Sequence, residues 1–339
     1  MHSAPTLRHD KEAMIPAFEK RLLLISGKGG VGKSTICAAF ALSASRLGKK
    51  VLVVEIDEKE RIARLFGRLG VGYEGAEIYP NIYLRNLLPS RALDEFVEVQ
   101  VKSKMVAKQI LSSQIYQYFA AAAPGLKEFV TLGKVMLLEQ ETDRRGAPTY
   151  DLIILDAPAS GHGVQFLRVP FAAADTVRVG WVRKQAERIM DLITDPDRTS
   201  LNIVTLPEEM PVNETVDLCQ NVDRMLGIPI GYIIINSIFP QVLKKKNLKT
   251  FDAMRQRLEN NGAKKLSRQE RELADLLFSC YEAANRRREL NDYYIARLKR
   301  MLKYQYIRVP FVFASNFDFD FVEKVSAHLL RSLSKDARS

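Results

Sequence analysis

The sequence predicts an α/β fold, a doubly wound and mostly parallel sheet carrying an inserted helical lobe. Two observations predict it. Short, nearly all-apolar runs rich in β-branched residues alternate with segments of helical spacing, and such runs read as strands buried on both faces. The first run also feeds straight into a glycine-rich turn and a helix of small residues, the opening unit of many doubly wound sheets. At 339 residues the chain accommodates this fold as one domain over residues 21–335, with the lobe at about 90–140 and a basic helical region at about 241–304. Residues 1–20 are set aside as an N-terminal extension, with disorder as an open reading.

The opening unit carries the chemistry. A strand from Arg21 to Ser26 runs into LLLISGKGGVGKST (Leu22–Thr35), which fits the pattern G-x-x-x-x-G-K-[ST]. Gly27, Gly29, Gly30 and Gly32 can take backbone angles that a β-carbon forbids, so successive N–H groups, that of Val31 included, converge on phosphate oxygens. Lys33 then reaches the β- and γ-phosphates, and Ser34 offers a hydroxyl to Mg²⁺. A helix opening at Thr35 and closing at Gly48 turns its positive end toward the anion. The expected ligand is a nucleoside triphosphate with Mg²⁺, on a phosphate-loop NTPase fold.

Two later strands end in carboxylates. GKKVLVVEID (Gly48–Asp57) reads as a buried parallel strand, and Asp57 at its carboxyl end emerges on the edge that carries the phosphate loop. An aspartate there can hold Mg²⁺ through water or orient the attacking water; it can also cap the following helix. In YDLIILDAPASGHGVQFLRVP (Tyr150–Pro170) the apolar run Leu152–Leu155 leads into Asp156, the strand-plus-aspartate form of a Mg²⁺ site. The loop after it, with Gly161 and His162, has the composition of a segment that moves when the γ-phosphate is lost. Hydrogen bonding within that loop suits His162 better than metal ligation.

Between Ser90 and Gln140 the apolar positions Phe96, Val97, Val101, Met105, Ile110, Ile115, Tyr116 and Phe119 recur at helical spacing, which defines the lobe. Beyond Pro170, DTVRVGWVRK (Asp175–Lys184), SLNIVTLPEE, a helix from Asn213 to Leu226 and GYIIINSIF continue the succession of strands and helices. YIRVPFVFAS returns as a further strand. The last helix, Phe319–Leu333, sets Phe321, Val322, Val325, Leu329 and Leu333 on one face; core packing and a membrane-docking tail both produce that pattern.

Composition narrows the setting. No apolar run approaches the roughly 18 to 20 residues that span a bilayer, and the first residues lack an apolar signal core, so a cytoplasmic protein is expected. Cys37, Cys219 and Cys280 lie far apart without a C-x-x-C pair, which argues against a disulfide framework and against zinc. The net charge is +11, and residues 241–304 hold 17 Lys or Arg against 8 Asp or Glu. Such a field attracts nucleic acid, anionic lipid or an acidic partner, and it also fits a solvated helical face; nucleic acid is not favoured.

The loop with Lys28 directly after its first glycine, together with DAPASGHGVQFLRVP, resembles the arsenite-pump and tail-anchored-protein-targeting ATPases, which have deviant Walker A phosphate loops. The resemblance covers most of Arg21–Pro170 and extends loosely to Ser315. It implies an ATPase in which two subunits sandwich nucleotide, as a homodimer or with a paralogue, and Lys28 serves the neighbouring subunit's nucleotide. It further implies that Asp57 positions the attacking water, that Asp156 belongs to the Mg²⁺ site, that Asn236 recognises adenine, and that Val309 and Pro310 lie near the base. Asn236 also has the composition of a simple chain turn after a strand. The implied job is handling or targeting of a client, including membrane proteins, at the inner face of a membrane. An oxyanion-pump motor and an ATP-gated positioning scaffold on DNA or membrane are the rivals. Where the family usually reads Asp-Pro-Ala after the second strand, this chain has Asp57-Glu58-Lys59, and Met105 and Met136 are the only methionines of the lobe.

Overall fold

The computed structural model describes residues 15–56, 60–101, 103–114, 116–118, 123–158, 160–243, 245–260 and 267–336. Eight strands form one sheet: β1 (Leu22–Ser26), β2 (Val51–Glu55), β3 (Ala76–Tyr79), β4 (Ile82–Asn86), β5 (Leu152–Asp156), β6 (Thr199–Thr205), β7 (Ile230–Ile238) and β8 (Gln305–Pro310). Their order is β3-β4-β2-β5-β1-β6-β7-β8. Every pairing is parallel except β3 with β4, an antiparallel hairpin at one edge. The expected α/β fold with a mostly parallel sheet is therefore present.

β1 shows why the sheet carries helices on both faces. All five of its residues are buried, and they alternate: Leu22 and Leu24 pack into one core, Leu23 and Ile25 into the other. The second core is closed by α1 (Lys33–Arg46), the short α2 (Arg61–Leu65) and α11 (Phe319–Asp336). α1 is wrapped on all sides, so it is apolar or small nearly all round, and Ser43 meets Ser326 of α11 through their hydroxyls at 2.8 Å. Val322, Val325, Leu329 and Leu333 of α11 are fully buried here, which commits that face to the core. The described residues begin at Ile15, inside the stretch set aside as an extension, and there Ile15, Ala17 and Phe18 are buried, with Phe18 meeting Phe40 edge to face.

The first core lies under the inserted lobe and the helices that follow it. The lobe comprises α3 (Pro89–Gln100), α4 (Lys104–Ser112) and α5 (Leu126–Gln140), beside α6 (Ser160–Thr176), α7 (Trp181–Thr194) and α8 (Glu209–Met225). Of the two lobe methionines, Met136 is core and Met105 is exposed; Ile115 and Phe119 lie outside the described residues. Asp175–Lys184 holds no strand: α6 ends there, Gly180 takes φ +106, and α7 begins at Trp181. The basic region folds as α9 (Lys245–Asn260) and α10 (Arg268–Met301), the latter opened by a reciprocal Ser267–Glu270 capping box and held to the core by Ile295 and Leu298.

Candidate nucleotide site

β1 is the central strand at which the chain order reverses, and ligands in open α/β sheets sit outside the carboxyl ends of strands at such a point. The chain leaves β1 through Gly27, whose φ of +141 brings the backbone against β6: a β-carbon there would stand 2.2 Å from the Val204 carbonyl oxygen. Gly30 and Gly32 also take positive φ, +84 and +94. Gly32 caps α1 in a left-handed conformation, so the helix opens at Lys33, two residues before the expected Thr35. No side chain caps this helix end, which leaves its first N–H groups directed at the cleft.

Lys33 curls back over the loop. Its Nζ donates to the carbonyl oxygens of Gly27 (3.0 Å) and Lys28 (3.1 Å), and burial lowers the proton affinity of the ammonium while Asp156 opposes the shift. Ser34 donates its hydroxyl to Asp156 Oδ2 at 2.6 Å. Asp156 ends β5, where it pairs in register with Ile25 of β1 and Glu55 of β2. Burial pushes its carboxyl up to about 6, against the pull of the Ser34 hydroxyl and Lys33. Its buried Oδ1 has no hydrogen-bond partner among the described residues. A buried carboxylate with one undersatisfied oxygen beside a hydroxyl is a donor set that suits a hard divalent cation.

Asn236, near the end of β7, reaches across to the loop and donates Nδ2 to the Val31 carbonyl oxygen at 2.9 Å; its Oδ1 accepts from Ser237 N. The same amide explains the last loop glycine, since a β-carbon on Gly32 would lie 2.4 Å from Asn236 Nδ2. Pro310 ends β8 on this edge and lines the cleft, whereas Val309 is fully buried and faces the core. Gly161 and His162 fall in the first turn of α6, so the segment expected as a loop is helical from Ser160 onward. Asp57 lies outside the described residues.

The cleft over the loop has two parts. One, of about 660 Å³, runs from Gly30 and Gly32 past Asn236 and Pro310 to Phe311 and Phe313. The other, of about 530 Å³, holds Lys33, Ser34 and Asp156 opposite Arg61 and Arg64 of α2. Gly30, Gly32, Thr35 and Phe317 line both, so the parts meet above the loop. One can take a flat base and sugar, the other phosphates and a metal.

Several of these neighbours carry no signal in the motif. Lys28 Nζ is paired with Glu214 Oε1 of α8 at 2.5 Å, a partner 186 residues away. Arg287 of α10 stands over the Phe239 ring at 4.5 Å and lines the base side of the cleft. The aromatic run after β8 (Phe311, Phe313, Phe317) is legible as a pattern, though not as a pocket wall.

The family model for anion-transporting ATPases matches residues 20–179 and 177–269, most of the chain. This chain belongs to that family. The ATPase is 32% identical to ATPase BagA of Mycobacterium tuberculosis over 234 residues, 67% of this chain and 68% of the relative. A Halobacterium salinarum protein bearing the name of an arsenical pump-driving ATPase is 26% identical over 247 residues, 68% of this chain and 37% of its own length. ATPase GET3 of Kluyveromyces lactis is 22% identical over 267 residues, covering 69% and 76%. The resemblance read from Lys28 and the Asp156 segment is to this same family.

Proposed function

We propose that the ATPase works as a nucleotide-sandwich dimer, with a second copy or a paralogue, and couples Mg²⁺-dependent hydrolysis to handling or targeting of a client protein. The observation that carries this reading is the two-part cleft, in which base-sized and phosphate-sized spaces meet over one loop. Lys33 and the amides of Gly27, Gly29, Gly30, Val31 and Gly32 hold the phosphates, with Thr35 at the helix opening. Asn236 and Pro310 border the base, and Asp57 orients the attacking water. Bound Mg²⁺ would neutralise phosphate charge, held by Ser34 and Asp156 and through water by Asp57. Gly161 and His162 belong to the segment that responds to loss of the γ-phosphate. Lys28 leaves its own chain to meet the phosphates bound by the partner subunit.

The client reading draws on a second feature. α3, α5 and α7 enclose an apolar groove of about 250 Å³, in which Phe96 stacks on Trp181 at 5.1 Å and Val99 and Leu137 stand exposed. Among the described residues no helix is long and apolar enough to cross a membrane, and we place the ATPase in the cytoplasm, docking at the inner face of a membrane when it delivers a client.

Lys28→Ala tests the sandwich. ATP binding should stay within about threefold of wild type while turnover falls by about 10³, because a positive charge supplied across a subunit boundary contributes on that scale. Unchanged turnover removes the dimer mechanism. Capture from lysate with Asp57→Asn in ATP against ADP then identifies the client, and recovery of nothing but a second copy or a paralogue would argue for a self-contained switch.

A further inference from the structure

The helix after β2 reaches the cleft. The sequence there is EIDEKERIAR, and α2 buries Ile62, Ala63 and Leu65 while turning Arg61 and Arg64 outward, three residues apart on one face. α2 is fixed at its start by Glu55, a fully buried carboxylate that accepts from Arg61 N at 2.8 Å and from Ile62 N at 3.4 Å. Both arginines line the phosphate part of the cleft together with Lys33, Ser34 and Asp156.

We infer that Arg61 is a catalytic arginine supplied within the chain, its guanidinium contacting the γ-phosphoryl oxygens opposite Lys33; the inference rests on the nucleotide reading above. Arg61 lines the same part of the cleft as Lys33, Ser34 and Asp156. A planar guanidinium can grip two phosphate oxygens at once, which a lysine cannot do. As the water oxygen bonds to γ-phosphorus, the bond to the β–γ bridging oxygen breaks and its electron pair leaves on ADP. Both protons of the water end on the released phosphate, which gives one of them up to solvent at neutral pH. Negative charge shifts toward the bridging and equatorial oxygens during this step, and Arg61 neutralises it without exchanging a proton. Arg61 thus adds a positive charge from inside the chain, so hydrolysis is less dependent on the charge that Lys28 delivers across the dimer.

Single-turnover hydrolysis with Arg61→Gln and Arg61→Lys, alongside ADP binding and binding of ADP with aluminium fluoride, tests the assignment. Arg68→Gln is the control: it removes the same charge from the exposed end of the same segment, outside the cleft. Expected are ADP affinity within about threefold of wild type for all variants and a rate loss of about 10² or more for Arg61→Gln. Affinity for the aluminium fluoride complex should fall in parallel, Arg61→Lys should restore part of both, and Arg68→Gln should match wild type. Arg61→Gln hydrolysing within about threefold of wild type, or Arg68→Gln losing as much, overturns the assignment alone. A wild-type chain that binds neither ATP nor ADP overturns the nucleotide reading and the assignment together.

Discussion

Glu214→Gln asks whether the loop lysine is held back in its own subunit. Lys28 Nζ and Glu214 Oε1 are 2.5 Å apart, with 31% and 34% of the two side chains exposed, so the pair sits at the water boundary. An ion pair in that setting stabilises its closed form by about 0.5 to 1 kcal/mol after solvent screening. The upper figure corresponds to about fivefold occupancy of the held position over the free one. Lys28 must leave Glu214 before it can meet phosphates in another subunit, so neutralising Glu214 while keeping its volume should raise the free fraction from about one sixth to about one half. Turnover measured against chain concentration reads this directly: the half-maximal concentration should fall by about two- to threefold in Glu214→Gln. Raising the salt should move wild type toward the variant, because screening loosens the pair. In a Lys28→Ala background Glu214→Gln should do nothing, which separates the pair from any other role of Glu214 on α8. An unchanged concentration dependence, or the same shift without Lys28, would refute the reasoning.

Two further changes probe the loop. Gly27→Ala puts a β-carbon 2.2 Å from the Val204 carbonyl oxygen at a φ of +141, so β1 and β6 must part or the loop must shift. The urea midpoint should fall by the equivalent of about 2 to 3 kcal/mol with nucleotide binding lost; a wild-type midpoint would mean that the loop has slack. Asn236→Ala removes the hydrogen bond to the Val31 carbonyl and, on the proposed reading, the polar edge that would meet the base. ATP affinity by calorimetry should drop about tenfold and the preference for ATP over GTP should shrink, whereas equal losses for both nucleotides would reduce Asn236 to a loop anchor.

What could be read from the sequence follows the distance over which each feature is determined. The phosphate loop and its strand and helix were legible because positive φ at Gly27, Gly30 and Gly32, and a strand buried on both faces, are local demands written in adjacent residues. The β3–β4 hairpin was not legible: β3 is an edge strand with only Ile78 buried, so its apolar signal is faint. Asp175–Lys184 misleads for the opposite reason, since valines spaced two apart imitate a strand where one helix frays and the next begins; the helical period becomes visible only from Ala186 through Ile189 to Ile193. The helix opens at Lys33 because Gly32 can cap in the left-handed region, a choice of angle that residue type permits but does not dictate.

The division runs through the site itself. The loop on its phosphate side is specified by the consecutive run Leu22–Thr35, with Asp156 added by a motif of its own. Its base side is assembled from β7, β8 and α10, and the amide that joins the two sides bridges 205 residues. The contacts of Lys28 with Glu214 and the aim of Arg61 belong to this second kind. Neither follows from the motif, because Glu214 is brought to the loop only by the packing of α8, and Arg61 by the burial of Ile62, Ala63 and Leu65 beneath it. It follows that substitutions in the loop other than at Lys28 should damage hydrolysis together with nucleotide binding, whereas changes at Lys28, Glu214 and Arg61 should alter how fast and at what chain concentration ATP is split while leaving nucleotide binding nearly untouched.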